Sequence, residues 1–153
     1  MFSLVRNIRQ CFNKQLYCSS NNNIVNRNKH FYTKTHEYIN FIEKDIVRIG
    51  ITNYAKKTLG NLVYIELSDI DLELEKYEEL ATLESVKATG GMYAPENGTI
   101  ISHNEELVND IDKYNMVSSE IDAWLIEYKL DNEIDKDLLL SKGEYDIFIT
   151  KKE

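Results

Sequence analysis

Between the alternating stretch Leu83-Glu84-Ser85-Val86 and the run Met92-Tyr93-Ala94 the chain places one lysine, Lys87, followed by the small Ala88 and by the pair Gly90-Gly91. A lysine at a break between two strands has its amine projected away from the body, since a turn at a sheet end gives it little to pack against. Small neighbours leave the whole turn open to the grip of a modifying enzyme. The chemistry this suggests is covalent modification of the amine, although exposed turns also host many lysines with no task.

Other reactive side chains offer less. Both cysteines, Cys11 and Cys18, lie near the start, so everything after them lacks a thiol. That excludes a structural disulfide, a cysteine nucleophile and a Cys-based zinc site there, and any sulfur chemistry must come from a prosthetic group. Serine, histidine and aspartate are present without the spacing of a triad. His36-Glu37 forms a polar pair at the start of the first strand, where the plain expectation is an exposed pair; His103 lies in a later strand and carries no assigned role.

The elements that must hold Lys87 are mostly strands. From Tyr38 onward apolar residues recur at period two, with turn residues between the runs. Tyr38 to Glu43 and Ile46 to Ile51 make a hairpin. Thr52 is placed to cap a short helix through Leu59, with Gly60 ending it in a left-handed conformation. Leu62 to Leu67 returns to strand, Glu79 to Val86 and Met92 to Ala94 flank Lys87, and Thr99 to His103 is extended. Pro95 cannot donate at its own nitrogen, and Asn97-Gly98 predicts the positive φ angles of a tight hairpin. Asn104 is positioned to cap a helical turn over Glu105 to Val108. Trp124, Ile126, Tyr128 and Leu130 alternate with Leu125, Glu127 and Lys129 and predict a strand with one strongly apolar face. Asn132 to Leu140 and Lys142 to Thr150 predict one or two closing helices. The body is therefore mainly β.

At 153 residues the chain suits one domain. No acidic residue precedes Glu37, whereas Arg6, Arg9, Lys14, Arg27, Lys29 and Lys34 do. Net charge is -8, and removing the first 30 residues, with their five positive charges, leaves a body near -13. A surface so acidic is repelled by phosphates, so no nucleic acid partner is expected. No apolar run approaches the roughly 20 residues that cross a bilayer, so no membrane partner is expected either. Within Phe2 to Leu16, the residues Leu4, Val5, Ile8, Cys11 and Phe12 share one arc at helical spacing, with Arg6, Asn13 and Lys14 opposite. That pattern, followed by the polar spacer Ser19-Ser20-Asn21-Asn22-Asn23, predicts a mitochondrial presequence and disordered spacer over 1–30, a domain over 31–153 and a location in the mitochondrial matrix.

The segment Glu84-Ser85-Val86-Lys87-Ala88, with Tyr93-Ala94-Pro95 and Gly98 downstream, resembles the lipoylation site of the glycine cleavage system H proteins. The likeness extends to Tyr32-Thr33-Lys34-Thr35-His36-Glu37-Tyr38, to Gly50-Ile51-Thr52-Asn53-Tyr54-Ala55, to Leu59 through Leu67, and to Ala123-Trp124-Leu125-Ile126. The resemblance implies a mainly β, barrel-sandwich hybrid fold, a flattened lipoyl-domain-like sandwich with short peripheral and C-terminal helices. It implies lipoic acid in amide linkage to Lys87, and a non-catalytic carrier that shuttles the aminomethyl group of glycine. Its implied partners are the pyridoxal phosphate enzyme glycine decarboxylase, the tetrahydrofolate-dependent aminomethyltransferase, the dihydrolipoamide dehydrogenase that reoxidises the arm, and a lipoate-attaching enzyme. Glu84 resembles an acidic residue shown to that last enzyme, and His36 and Glu37 match positions near the cleft that receives the loaded arm.

The sequence also departs from the pattern. Gly90-Gly91 replaces a usual serine and acidic residue, Tyr77 replaces a usual turn glycine, and Asp110 to Ser119 lacks the usual proline. A 2-oxo acid dehydrogenase lipoyl domain would place aspartate where Val86 stands, and a biotin carrier would flank the lysine with methionines. An H-like relay that donates lipoyl groups to other mitochondrial acceptors shares the lysine and the fold.

Overall fold

A computed structural model describes residues 30–151 of the chain. The leader expected over 1–30 lies outside the described residues except for its last position. The described residues form nine strands: β1 (His30–Tyr32), β2 (Glu37–Phe41), β3 (Ile46–Ile51), β4 (Leu62–Leu67), β5 (Glu73–Leu74), β6 (Glu79–Ser85), β7 (Thr89–Tyr93), β8 (Gly98–His103) and β9 (Ile126–Leu130); β1 and β5 fall outside the expected period-two runs. They form two antiparallel sheets, a larger one in the order β1-β2-β3-β9-β8-β5 and a smaller one in the order β4-β6-β7. The inner faces share one core, with Ile39, Val47 and Ile49 from the larger sheet against Leu62, Ile65, Leu83 and Met92 from the smaller. The result is the mainly β, flattened sandwich expected, with short helices at its edges. No helix among the described residues is long and apolar enough to cross a membrane.

Helix α1 (Asn53–Leu59) begins and ends as its sequence dictates. The Thr52 side chain accepts from the Ala55 amide, and Gly60 takes φ 81° while its amide donates to the Lys56 carbonyl. Lys56 then joins α1 to α3 (Ile111–Met116): its Nζ donates to the carbonyls of Tyr114, 2.6 Å away, and Val117, 2.8 Å away. Burial lowers the Lys56 ammonium from the ordinary lysine value. The segment Asp110 to Ser119, without its proline, is thus still ordered, with Asp110 capping α3 by accepting from the Lys113 amide.

Four expectations about the elements need correction. Asn97-Gly98 is not a positive-φ hairpin, for neither residue adopts positive φ and the strands on either side belong to different sheets. The glycine is needed for close approach instead: a Cβ on Gly98 would stand 2.2 Å from the Lys129 carbonyl oxygen. Asn104 occupies the cap position of α2 (Glu105–Val108), but its side chain donates to the Trp124 carbonyl, 2.9 Å away, rather than capping. Trp124 is outside β9 and only half-buried beneath Arg48, whose guanidinium carbon is 4.4 Å from the ring centroid, while Leu125 is buried in its place. Finally, Asn132 to Leu140 holds only a 3-10 turn, Lys136–Leu138, and then bridges β1 through Tyr32 and Leu140.

The closing helix α4 (Lys142–Thr150) forms as predicted, with a capping box between Ser141 and Glu144. It buries Tyr145 against Tyr32, the rings stacked at 4.7 Å.

Candidate functional site

Lys87 occupies the second central position of the turn joining β6 and β7, whose last paired residues are Glu84 and Thr89. The turn is unusual for a two-residue hairpin loop. Such loops favour turn types with positive φ, yet neither Val86 nor Lys87 adopts it. Only one backbone bond closes the turn, from the Ser85 amide to the Ala88 carbonyl at 2.8 Å. The Ser85 hydroxyl supplies the rest, accepting from the Ala88 amide at 3.1 Å and lying 3.0 Å from the Ala88 carbonyl, to which it donates. One serine therefore clamps the tip, and Val86 and Lys87 are left facing solvent.

The surroundings keep the lysine root clear. Its stem passes beside Gly60, where a Cβ would lie 3.5 Å from Lys87 Cε, an ordinary contact. Gly90 faces Leu59 at the end of α1, a Cβ there meeting Leu59 Cδ2 at 3.2 Å. The glycines thus let α1 lie close under the hairpin. Gly91 has no side chain to reach an arm, but the space is taken by polar atoms of its neighbours: a Cβ there would meet Tyr93 Oη at 2.6 Å and Glu79 Oε1 at 3.2 Å.

The other residues singled out in the sequence fall in two places. Glu84 is exposed on β6, opposite Tyr64 on one side and Thr89 on the other, within three residues of Lys87. His36 and Glu37 are not the exposed pair expected of a strand start. Glu37 is 2% exposed; its Oε2 accepts from the hydroxyls of Thr33 and Thr35, and its Oε1 accepts from the Tyr93 amide at 3.2 Å. It thereby ties β2 of the larger sheet to β7, the strand that leaves Lys87. His36 sits at φ 73°, with Nδ1 2.8 Å from Tyr145 Oη and its ring 4.9 Å from that of Tyr54. Tyr145 Oη is also 2.8 Å from Thr52 Oγ1, so one phenol joins the first turn, the cap of α1 and the closing helix. Sequence reasoning missed that junction because Tyr145 stands 109 residues from His36. The clamp was within its reach, since serine at the head of a turn is a known device.

Tyr77, at the turn before β6, adopts φ 70°. A tyrosine in this left-handed region costs on the order of 1–3 kcal/mol relative to a residue at ease there. The backbone thus keeps a glycine's conformation without the glycine.

A lysine held at a clamped hairpin tip, on a body whose two sheets share one core, presents its amine to solvent. Comparison with known proteins gives the family. The family described as Glycine cleavage H-protein matches residues 30–152. A probable glycine cleavage system H protein of Pyrococcus furiosus is 41% identical over 102 residues, 67% of this chain and 75% of that protein. The glycine cleavage system H protein of Thermotoga maritima is 36% identical over 121 residues, 79% of this chain and 96% of that protein. In structure, a glycine cleavage system H protein from Mycobacterium marinum superposes with a TM-score of 0.68 at 26% identity, covering 79% of this chain and 96% of that one. The chain belongs to the glycine cleavage H-protein family.

Proposed function

We propose that this chain is the lipoyl carrier of a glycine cleavage system, with lipoate held in amide linkage on Lys87. The observation that carries the reading is the clamped, solvent-facing tip at Lys87 in a chain of this family. The residues present suit the group: the amine is accessible, Gly60 leaves the stem unobstructed, and acylation at the tip disturbs no hydrogen bond of the turn. When attached, lipoate supplies a redox-active dithiolane at the end of a long arm, and the protein supplies display and orientation. Lys87 holds the arm, Ser85 fixes the direction in which it leaves, and Glu37 anchors the far end of β7 so that the tip moves with the body. Tethering makes each encounter depend on docking of this body. In this role the chain is a non-catalytic component. It carries the aminomethyl group of glycine from glycine decarboxylase to the aminomethyltransferase, and dihydrolipoamide dehydrogenase reoxidises it.

Intact-mass measurement of the native protein is expected to show one lipoyl increment that is absent in Lys87→Arg. The lipoylated form is expected to support glycine-dependent bicarbonate exchange by glycine decarboxylase. An unmodified native protein, or lipoyl transfer to a dehydrogenase acceptor with no exchange, would overturn the assignment.

The same reading extends to the address. The basic, acid-free segment 1–30 serves as a mitochondrial presequence and spacer, 31–153 is the carrier domain, and the protein works in the matrix; the charge asymmetry of the sequence supports this. A fluorescent reporter fused behind residues 1–30 is expected to enter mitochondria and to lose the leader on import. A reporter that stays in the cytosol at full length counts against it.

A further inference from the structure

Single exposed apolar residues are ordinary on protein surfaces, but grouping of several at one end is not. Four element ends meet around Lys87. Gly60, at the end of α1, lies beside the lysine stem. Leu62, at the start of β4, is the register partner of Ser85. Asn115, near the end of α3, grips Leu62 from its other side, accepting from the Leu62 amide at 3.0 Å and donating to its carbonyl at 2.9 Å. The fourth is the β6–β7 tip itself. Three exposed apolar residues are chain neighbours of this junction: Val63, next to Leu62, is 52% exposed, Val86, next to Ser85, 90%, and Met116, next to Asn115, 81%. Val63 faces outward because the β4–β6 register shifts between Leu62 and Tyr64, a bulge that leaves Val63 without a ladder partner. Each of the three adjoins a residue fixed by hydrogen bonds: Leu62, Ser85 and Asn115.

We propose that Val63, Val86 and Met116 form an apolar rim by which the enzyme that attaches lipoate recognises this protein; the proposal rests on the carrier reading above. Distance selects that enzyme over the others. Attachment takes place at Nζ itself, one side-chain length from the backbone, so the attaching enzyme must close over whatever surrounds the root of Lys87. Enzymes that use the finished arm meet its far end and are free to dock elsewhere on the body. The occupant is thus a protein with an apolar groove leading to an activated lipoyl donor, a mixed anhydride of the lipoyl carboxyl group with a nucleotide phosphate. In the reaction the neutral Lys87 amine attacks the acyl carbon and the C–N bond forms. The C–O bond to phosphate breaks, the nucleotide leaves with that electron pair, and the surplus amine proton passes to solvent.

The test uses the full chain in its unlipoylated form and, as probe, a lipoate–protein ligase with lipoate and ATP, followed by intact mass. Val86→Asn and Met116→Gln are each expected to lower kcat/KM for attachment roughly tenfold, the effect of losing an interface anchor. Val86→Ile, which keeps an apolar side chain, retains the wild-type value, and Ile147→Gln, at an apolar site 58% exposed on α4, leaves it unchanged. Both rim variants are surface changes whose fold is checked by circular dichroism. Driven to full lipoylation by long incubation, they are expected to support glycine-dependent exchange at the wild-type rate. Attachment at the wild-type rate in both variants overturns the rim, and so does a loss of exchange in step with attachment. A wild-type chain that takes no lipoyl group overturns the carrier reading and the rim with it, a result distinct from either.

Discussion

Ser85 decides how Lys87 is presented. Its hydroxyl stands in for the backbone bond that this turn lacks, holding both the amide and the carbonyl of Ala88. Ser85→Ala removes both contacts at an exposed site where water can replace them, so the expected loss of stability is only about 0.5–1.5 kcal/mol. The local effect is larger. Amide hydrogen exchange at Ala88 is expected to speed up roughly tenfold or more, since its protecting acceptor is gone, while core amides such as that of Leu83 slow or quicken only with global stability. Unchanged exchange at Ala88 would show that the turn holds without its serine. Lys87 itself was legible in the sequence, because a turn lysine between two period-two runs is a local pattern and its flanking residues carry the family resemblance. Glu37 was not legible to the same degree. Its burial depends on Thr33, Thr35 and a strand 56 residues away, and nothing in a charged residue at a strand start announces partners at that distance.

At the scale of elements the same division holds. Helix α1 was readable end to end because Thr52 and Gly60 act within a few residues of the atoms they satisfy. Gly98 was misread because two needs for glycine, positive φ and close approach, leave the same letter in the sequence; only the packing of Tyr128 and Lys129 against it distinguishes them. The attachment of α4 is the element-scale feature with a measurable signature. Burial pushes the Tyr145 phenol up to about 12; Glu120, Tyr54 and Glu37 act in the same direction, and the hydrogen bond with Thr52 opposes them. The unfolded phenol has the ordinary value of 10.0. Between these values the unfolded chain releases a proton that the folded chain retains, so this contribution is complete below pH 10 and is lost as pH rises toward 12. Tyr32, Tyr38, Tyr114 and Tyr128 are also raised by burial and add to the trend. Stability measured by urea titration is expected to fall with pH above 10 and to fall less steeply in Tyr145→Phe, which has one fewer phenol to titrate. A slope identical in both proteins would show that Tyr145 ionises alike in the folded and unfolded chains.

For the whole molecule, the arrangement that matters is that the Lys87 hairpin lies in the smaller sheet while most of the structure lies in the larger. A carrier works only if docking of the body aims the arm, and that requires the two sheets to behave as one unit. Their shared core argues that they do: Leu83 of β6 is 0% exposed and packs in the same cluster as Ile39 and Ile49. Two further ties join the larger sheet to the segment by which the chain crosses from β7 to β8: the Tyr93 amide donates to Glu37 of β2, and the Tyr128 hydroxyl of β9 donates to the Glu96 carbonyl at 3.0 Å. The single tryptophan, Trp124, lies beneath Arg48 of β3 and so reports on the larger sheet, whereas far-ultraviolet circular dichroism reports on both. Leu83→Ala removes apolar contacts that the smaller sheet contributes to the shared core and is expected to cost about 2–5 kcal/mol. If the sheets unfold together, Trp124 fluorescence and circular dichroism shift to the same lower urea midpoint. If instead the tryptophan transition stays at its wild-type midpoint while part of the dichroism is lost earlier, the smaller sheet opens by itself, and the direction of the arm would no longer be fixed by where the body docks.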